Sequence, residues 1–106
     1  MMSKDAVKIT RVKYYDLGKH KRDSFLGRCS VVIGDVLMLN EILILSGNGG
    51  DYIVMPSRET NTGGMNNHTE DVFHPVDRNY FSYMVETILE GYRICRDTGK
   101  CVYRPE

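Results

Sequence analysis

The cysteine and histidine side chains are the residues of this sequence that could ligate a metal or act as nucleophiles. Cys95 and Cys101 are separated by five residues, which is wider than the usual spacing of a zinc knuckle, and Cys29 lies far from both. The histidines are scattered, and none forms a close pair with a cysteine. We therefore expect reduced, packed thiols with no bound metal and no disulfide framework.

The remaining candidates for catalytic chemistry do not form a recognisable set. Gly47-Asn48-Gly49-Gly50 lacks the Lys-Ser/Thr that follows in a phosphate-binding loop, and it leads into a predicted strand instead of a helix. The acidic residues are dispersed, and His74 before Pro75 favours a structural role over a catalytic one. We expect a protein that is not an enzyme, with no cofactor and no small-molecule substrate.

Charge is unevenly distributed along the chain, although fourteen basic and fourteen acidic residues cancel. Residues 1–28 carry eight basic and three acidic side chains, whereas 29–57 carry three acidic and no basic ones. Zero net charge excludes a strongly basic nucleic-acid binder as a description of the whole chain. The cluster formed by Lys19, Lys21 and Arg22 at a predicted turn can attract phosphate, with a solvated turn as the alternative.

The elements that must position these residues begin with strands. We predict strands over 7–15, 25–33, 36–45 and 52–55, and the apolar phase of the first shifts between Ile9 and Val12, as at a β-bulge. Gly34-Asp35 is typical of a hairpin turn. Since no helix separates these strands, the sequence predicts an antiparallel meander.

The second half of the chain predicts one long polar segment and one helix. Residues 57–70 are polar and rich in Gly and Asn, so we predict an exposed, mobile loop. Asp77 is placed to cap a helix that ends near Leu89 or Glu90, and Phe81 falls on its apolar face. Gly91 marks the predicted end, followed from about residue 92 by an irregular tail or a hairpin.

The chain as a whole has the length and composition of one α+β domain over residues 1–106, an antiparallel β-sheet meander with a C-terminal amphipathic helix. The run from Val36 to Leu45 is apolar except at Asn40 and Glu41, which predicts a strand covered on both faces. One helix covers one face, so we expect a homodimer to cover the other, with loose packing under the long loop as the alternative. No apolar run is long enough to span a membrane and the N-terminus lacks a signal sequence, so we expect a cytoplasmic protein.

Four segments of the sequence resemble one known family. They are Ile9-Thr10-Arg11-Val12, Gly47-Asn48-x-Gly50, Met55-Pro56-Ser57-Arg58-x-Thr60 and Asp71-Val72-x-His74-Pro75-Val76. In this order and at this relative spacing they resemble the SpoVG family, the stage V sporulation protein G septation regulators, over about four-fifths of the chain. The resemblance implies a bacterial, cytosolic, dimeric regulator that binds DNA and RNA and modulates gene expression, including in sporulation and septation.

Two positions depart from the family pattern and leave two hypotheses open. Glu59 and Phe81 stand where family members commonly carry basic residues. In the favoured hypothesis, a dimeric regulator contacts nucleic-acid phosphates through five residues: Arg58, Arg78, Lys19, Lys21 and Arg22. In the alternative, the chain is a SpoVG-like protein-interaction module with little nucleic-acid affinity, using the loop 57–70 and exposed tyrosines.

Overall fold

Seven strands and one helix make up the part of the chain that the computed structural model describes, which is residues 8–17, 24–61 and 67–105, with 58–61 and 67–71 described through their backbone. The elements are β1 (Ile9–Tyr15), β2 (Phe25–Ile33), β3 (Leu37–Gly47), β4 (Gly50–Val54), β5 (Ser57–Asn61), β6 (Asn67–Asp71), α1 (Arg78–Thr98) and β7 (Val102–Tyr103). No helix among the described residues combines the length and apolar character that a membrane crossing requires.

The main sheet has five antiparallel strands in the order β4-β3-β2-β1-β7, which confirms the predicted meander. The register of β1 against β2 shifts between Ile9 and Arg11, so the predicted bulge is also confirmed. Gly34 and Asp35 both have positive φ, at 60° and 59°, as a two-residue hairpin turn requires.

The helix α1 covers one face of this sheet and buries the core against it. Asp77 caps its N-terminus as predicted, with the side chain accepting a hydrogen bond from the backbone N–H of Asn79 at 2.8 Å. From the sheet, the buried Tyr14 hydroxyl donates to the Ile88 carbonyl at 2.6 Å. The backbone N–H of Ile9 donates to the Tyr83 hydroxyl at 2.9 Å. These two bonds satisfy polar groups at the helix–sheet contact, so α1 is fixed in position along β1.

The predicted end of the helix was wrong, because α1 continues through Gly91 to Thr98 and is capped by Gly99 at φ 78°. The prediction of a tail or hairpin from residue 92 fails with it, since 92–98 are helical and Val102–Tyr103 pair with β1. Gly91 is buried, and a Cβ there would meet the Tyr14 hydroxyl and the Tyr103 ring. Glycine at this position therefore permits close packing instead of ending the helix.

The predicted loop over 57–70 was also wrong, because most of it forms an antiparallel ribbon of β5 and β6 with Ser57 opposite Asp71 and Asn61 opposite Asn67. A ladder pairs backbone groups, which polar residues supply as well as apolar ones. The hydrophobic alternation that marks a half-buried strand is missing from this segment, so the sequence carried no signal for it.

The apolar run of β3 is two half-strands in different phase. Ser30 is flanked in register by the pairs Cys29–Ile42 and Val31–Leu39, which leaves Asn40 and Glu41 opposite one residue as a β-bulge. The Ser30 hydroxyl donates to the Asn40 side-chain oxygen at 2.8 Å. Leu37 and Met38 are exposed before the bulge, whereas Ile42 and Ile44 are buried after it. The single chain thus does not cover both faces along the whole run.

Candidate nucleic-acid interface

The five residues predicted to contact phosphate fall on three separate parts of the chain. Lys19, Lys21 and Arg22 lie outside the described residues, in the connection between β1 and β2. Arg58 is in β5, where it pairs in register with Glu70 of β6. Arg78 is the first residue of α1 and is exposed, with no ion pair to any carboxylate of the described residues. Of the predicted set, Arg78 is the residue whose side chain is described, and it is exposed to solvent.

Phe81 does not lie in the core, which corrects its predicted position. It is 38% exposed, and the buried residues of α1 begin only at Met84. Phe81 is seven residues before Ile88, so the two side chains lie on the same side of α1. Phe81 is in the first turn of α1, however, and this turn extends beyond the core. A basic residue at this position would thus be compatible with the fold, as the pattern of the family suggests.

A group of residues that the sequence did not single out occupies the face of the sheet turned away from α1, here called the open face. Tyr15 is 37% exposed on β1 and pairs in register with Arg28 of β2. The Lys13 ammonium and the Arg28 guanidinium lie 5.4 and 5.6 Å from the centroid of the Tyr15 ring. At these distances both cations are attracted by the π-electrons of the ring, so Tyr15 is held between strand neighbours.

Arg28 itself is held by two carboxylates. Its Nε donates to Asp16 Oδ2 at 2.8 Å, and its Nη1 donates to Glu41 Oε1 at 3.0 Å. These hydrogen bonds, Asp16 first, raise the pKa of Arg28 above its already high value. Asp16 and Glu41 both have positive φ, at 62° and 66°, an unfavourable conformation for residues with side chains. Arg28 is therefore a structural clamp between the end of β1 and the bulge of β3, with its charge balanced.

A cleft of about 680 Å³ opens between the end of β1 and the C-terminal half of α1. Residues of β1, of α1 and of the segments that follow them line it, among them Lys13, Tyr15, Tyr92, Arg96, Lys100 and Cys101. The Arg96 guanidinium lies 5.4 Å from the centroid of the Tyr92 ring, and its Nε donates to Asp97 Oδ1 at 3.2 Å. Side chains alternate between the two faces of a strand, so the run Lys13-Tyr14-Tyr15 could have indicated that Tyr14 faces the core and that Lys13 and Tyr15 face away from it.

The thiols differ sharply in their surroundings. Cys29 and Cys95 are buried, and Cys101 is exposed at the cleft. Burial raises the pKa of the Cys29 thiol to about 12, and it raises the pKa of Cys95 as well. Within the described ranges no three His, Cys, Asp or Glu side chains are grouped closely enough to hold a metal ion.

The other half of the open face is apolar. Leu43 pairs with Val54 and Leu45 with Tyr52, and these four residues alternate with the buried pair Ile44–Ile53. They are therefore turned away from α1. At the other end of β3, the β2–β3 turn ends in Val36, which is 87% exposed. Apolar side chains thus lie outside the core on this half of the open face and at the turn.

Comparison with known proteins agrees with the motifs in the sequence. The sequence model of the SpoVG family matches residues 7–94. A protein of Phytoplasma australiense named "Putative septation protein SpoVG" is 32% identical over 87 residues, which is 82% of this chain and 84% of that protein. Proteins of the same name from Borrelia hermsii (strain HS1 / DAH) and Treponema denticola are each 29% identical, over 77% and 66% of this chain and 80% and 71% of their own lengths.

The matched range begins just before β1 and ends within α1, so it takes in strands β1 to β4 of the main sheet, the β5–β6 ribbon and the capped start of the helix, and leaves out β7. It includes the Met55-Pro56-Ser57-Arg58 segment and Asp71-Val72-x-His74-Pro75. This chain belongs to the SpoVG family.

Proposed function

We propose that this protein is a dimeric, cytoplasmic regulator of the septation and sporulation type that binds DNA and RNA and acts by binding, without catalysis. Membership of the SpoVG family supports the regulatory role. The observation that carries the nucleic-acid part is the placement of exposed cations. Lys13 on the open face and Arg78 at the start of α1 have no carboxylate partner among the described residues, so both charges are available to phosphate.

Further basic residues follow Lys13 closely in the sequence. The segment containing Lys19, Lys21 and Arg22 leaves β1 directly after Tyr15 and Asp16 and returns into β2 at Phe25. The basic side chains of this connection therefore follow within a few residues of the exposed Lys13–Tyr15 pair. A dimer presents two copies of these basic residues. The doubled number of possible phosphate contacts favours binding by a chain with zero net charge.

The dimer in this proposal is formed through the apolar half of the open face. Leu43, Leu45, Tyr52 and Val54 offer a contiguous apolar patch that α1 cannot reach, because α1 lies on the opposite face. Burial of such a patch stabilises association by roughly 25 cal/mol per Å² of apolar surface before the losses of entropy are subtracted. The exposed Leu37 and Met38 extend the same strand toward the turn.

Titration of labelled random-sequence RNA, single-stranded DNA and duplex DNA at about 50 and 200 mM salt tests the binding part. We expect saturable binding that weakens with salt, with a slope of log K against log salt of about −0.7 to −0.9 for each phosphate contact. Absence of binding at the lower salt, at protein concentrations where dimers form, would refute the nucleic-acid role.

A protein-interaction module is the second candidate, and a specific feature favours it. Val72 and Val76, in the segment between β6 and α1, are exposed, Val76 to 95%. Phe81, in the first turn of α1, is a third exposed apolar side chain that a protein partner could cover. Failure of the titration with an intact dimer would favour this candidate over the regulator.

A further inference from the structure

Two of the three cysteines lie in one corner of the fold, where α1 ends and the chain returns to β1. Cys95 is buried in the last turns of α1, and Cys101 follows the helix and is exposed. Both line the cleft of about 680 Å³. We propose that they form a redox-active thiol pair, in which hydrogen peroxide oxidises Cys101 and Cys95 then closes an intramolecular disulfide with it. This modification site goes beyond the proposed function and does not depend on it.

The pairing of β7 with β1 sets the direction of the Cys101 side chain. Val12 pairs in register with Tyr103. Two positions further along β1, the same register brings Tyr14 opposite Cys101, and the Tyr14 N–H donates to the Cys101 carbonyl at 2.7 Å. Residues directly opposite each other in an antiparallel pair have their side chains on the same face. Because the Tyr14 hydroxyl bonds to α1, the Cys101 side chain lies on the helix side of the sheet as well.

The helix α1 runs in the same direction as β1. The Tyr83 hydroxyl accepts from the N–H of Ile9, and one turn later the Ile88 carbonyl accepts from the Tyr14 hydroxyl, so helix and strand advance together. The strand β7 is antiparallel to β1 and therefore runs opposite to α1. Toward the end of α1, the neighbouring part of the chain is thus the segment just before β7, where Cys101 lies.

The contact between Gly91 and Tyr103 places the two cysteines at the same height. A Cβ on Gly91 would lie 2.7 Å from Cγ of the Tyr103 ring, so helix and strand approach closely here. Cys95 is four residues further along α1, about 6 Å away on the same side of the helix. Cys101 is two residues before Tyr103, about 7 Å away on the same face of the strand. Since α1 and β7 run in opposite directions, both displacements point the same way, and the two thiols face each other.

Exposure and ionisation decide which sulfur reacts first. Cys101 is exposed at the cleft, whereas Cys95 is 2% exposed. Burial raises the pKa of the Cys95 thiol, a negative charge on Cys101 raises it further, and the Lys100 ammonium lowers it. An effect of Cys101 on the pKa of Cys95 agrees with the closeness of the two sulfur atoms. Cys101 is therefore the thiol that a dissolved peroxide meets, and Cys95 is the thiol that resolves the oxidised product.

The chemistry takes two steps. In the first, the Cys101 thiolate attacks the peroxide, so that an S–O bond forms, the O–O bond breaks and hydroxide leaves to become water; Cys101 is oxidised by two electrons to the sulfenic acid. In the second, the Cys95 sulfur attacks the Cys101 sulfur, so that the S–S bond forms and the S–O bond breaks. The departing hydroxide takes up the Cys95 proton as a second water. A dithiol reductant reverses the reaction by thiol–disulfide exchange and restores the reduced thiols.

Cys29 is an internal control for this pair. It lies opposite Tyr14 on β2, so Tyr14 separates it from Cys101 on the other side. Two strand spacings amount to about 10 Å, whereas the Cα atoms of a disulfide lie about 4.4–6.8 Å apart. Cys29 should therefore stay a free thiol when the other two are oxidised.

Mass spectrometry of reduced protein treated with a small excess of hydrogen peroxide tests the pair. Wild-type protein should lose the mass of two hydrogen atoms and keep one titratable thiol. Trypsin cuts between the two cysteines, after Arg96 and Lys100, so the disulfide should join the peptides 94–96 and 101–106. Cys101→Ser should form no disulfide. Cys29→Ser is the matched control and should form the same disulfide within about two-fold of the wild-type rate.

Dimedone, which reacts with sulfenic acids, tests the order of the two steps. In Cys95→Ser the resolving thiol is absent, so the sulfenic acid of Cys101 should persist and take up at least about ten-fold more dimedone than in wild type. Thermal unfolding of each variant confirms that it is folded. If Cys95→Ser does not fold, the peptide map of wild-type protein and the comparison with Cys101→Ser still decide whether the pair exists.

Three results would overturn the inference. The first is further oxidation of Cys101 to a sulfinic or sulfonic acid while Cys95 stays a free thiol. The second is a disulfide that joins two chains, seen on a non-reducing gel and increasing with protein concentration, and the third is a disulfide that contains Cys29. None of them affects the proposed function, which titration of the reduced protein with nucleic acid tests separately.

Discussion

Gly91→Ala is the substitution for which helix propensity and packing predict opposite signs. In the middle of an exposed helix this change stabilises a protein by about 1 kcal/mol, since alanine favours the helix and glycine does not. In this fold Gly91 faces the sheet, and the Tyr103 ring carbon Cγ lies 2.7 Å from the place of the new Cβ. The Tyr14 hydroxyl is closer still.

Neither neighbour can move freely. Tyr103 is in β7, paired in register with Val12, and the Tyr14 hydroxyl is bound to the Ile88 carbonyl. Overpacking of this kind costs about 1–3 kcal/mol. Displacing the Tyr14 hydroxyl from its buried acceptor costs about 1–3 kcal/mol more. After the gain in helix propensity, we expect Gly91→Ala to lower the free energy of unfolding by about 1–5 kcal/mol.

Urea denaturation of wild type and variant measures this difference, and an unchanged m-value would confirm that only stability changes. In a Tyr14→Phe background the hydroxyl is absent, so the cost of Gly91→Ala should shrink by at least about 0.5 kcal/mol. Gly49→Ala, with no atom within 4 Å of its Cβ, is the control and should stay within about 0.5 kcal/mol. An increase in stability for Gly91→Ala would refute the packing of Gly91 against the sheet.

The other predictions concern binding, assembly and pH. The double variant Arg58→Ala/Arg78→Ala should weaken binding to all sequences alike and reduce the salt slope by about 1.8 on duplex DNA, measured by anisotropy; an unchanged slope would move the site to the β1–β2 connection. Phe81→Arg should remain folded within about 1 kcal/mol, because Phe81 is partly exposed, and should bind duplex DNA more tightly; unfolding of this variant would place Phe81 in the core after all. Leu43→Glu, on the open face, should convert the dimer to monomer in light scattering, and a wild-type particle of monomer mass would end the dimer proposal. The pKa of the Cys29 thiol is about 8.5 in the unfolded chain and about 12 in the folded protein, so the free energy of unfolding should fall as pH rises above about 8.5, by up to about 1.4 kcal/mol per pH unit. Cys29→Ala should lose this part of the pH dependence. Identical pH profiles for wild type and variant would contradict this prediction.

The strands, the turns and the helix cap could be predicted because each depends on residues close in the chain. The phase shift between Ile9 and Val12 was read correctly as a bulge, and Gly34-Asp35 as a turn. The cap at Asp77 was likewise confirmed. These signals report backbone conformation or local hydrogen bonding, which a few neighbouring residues decide.

Of the candidate site, the sequence predicted only charged residues. Arg78 is exposed as its polar position indicated, but the cleft depends on Lys13, Tyr15, Arg96 and Lys100, which come from opposite ends of the sequence. Their proximity arises because α1 extends to Thr98 and returns the chain to β1. Because the helix was predicted to end about two turns too early, the sequence could not show that these residues line one cleft.

The sequence by itself determined the order of the first four sheet strands, the start of the helix and the family, since periodicity, turn residues and motif spacing are properties of neighbouring positions. Tertiary structure alone decided that Gly91 lies inside the helix, since its role comes from the approach of Tyr14 and Tyr103. It also decided that the polar residues of 57–61 and 67–71 pair as a ribbon, because backbone groups bond regardless of side-chain polarity. Asn40 and Glu41 needed both sequence and tertiary structure. The sequence shows them as an interruption of an apolar run, and only the pairing of β3 with β2 makes them a bulge.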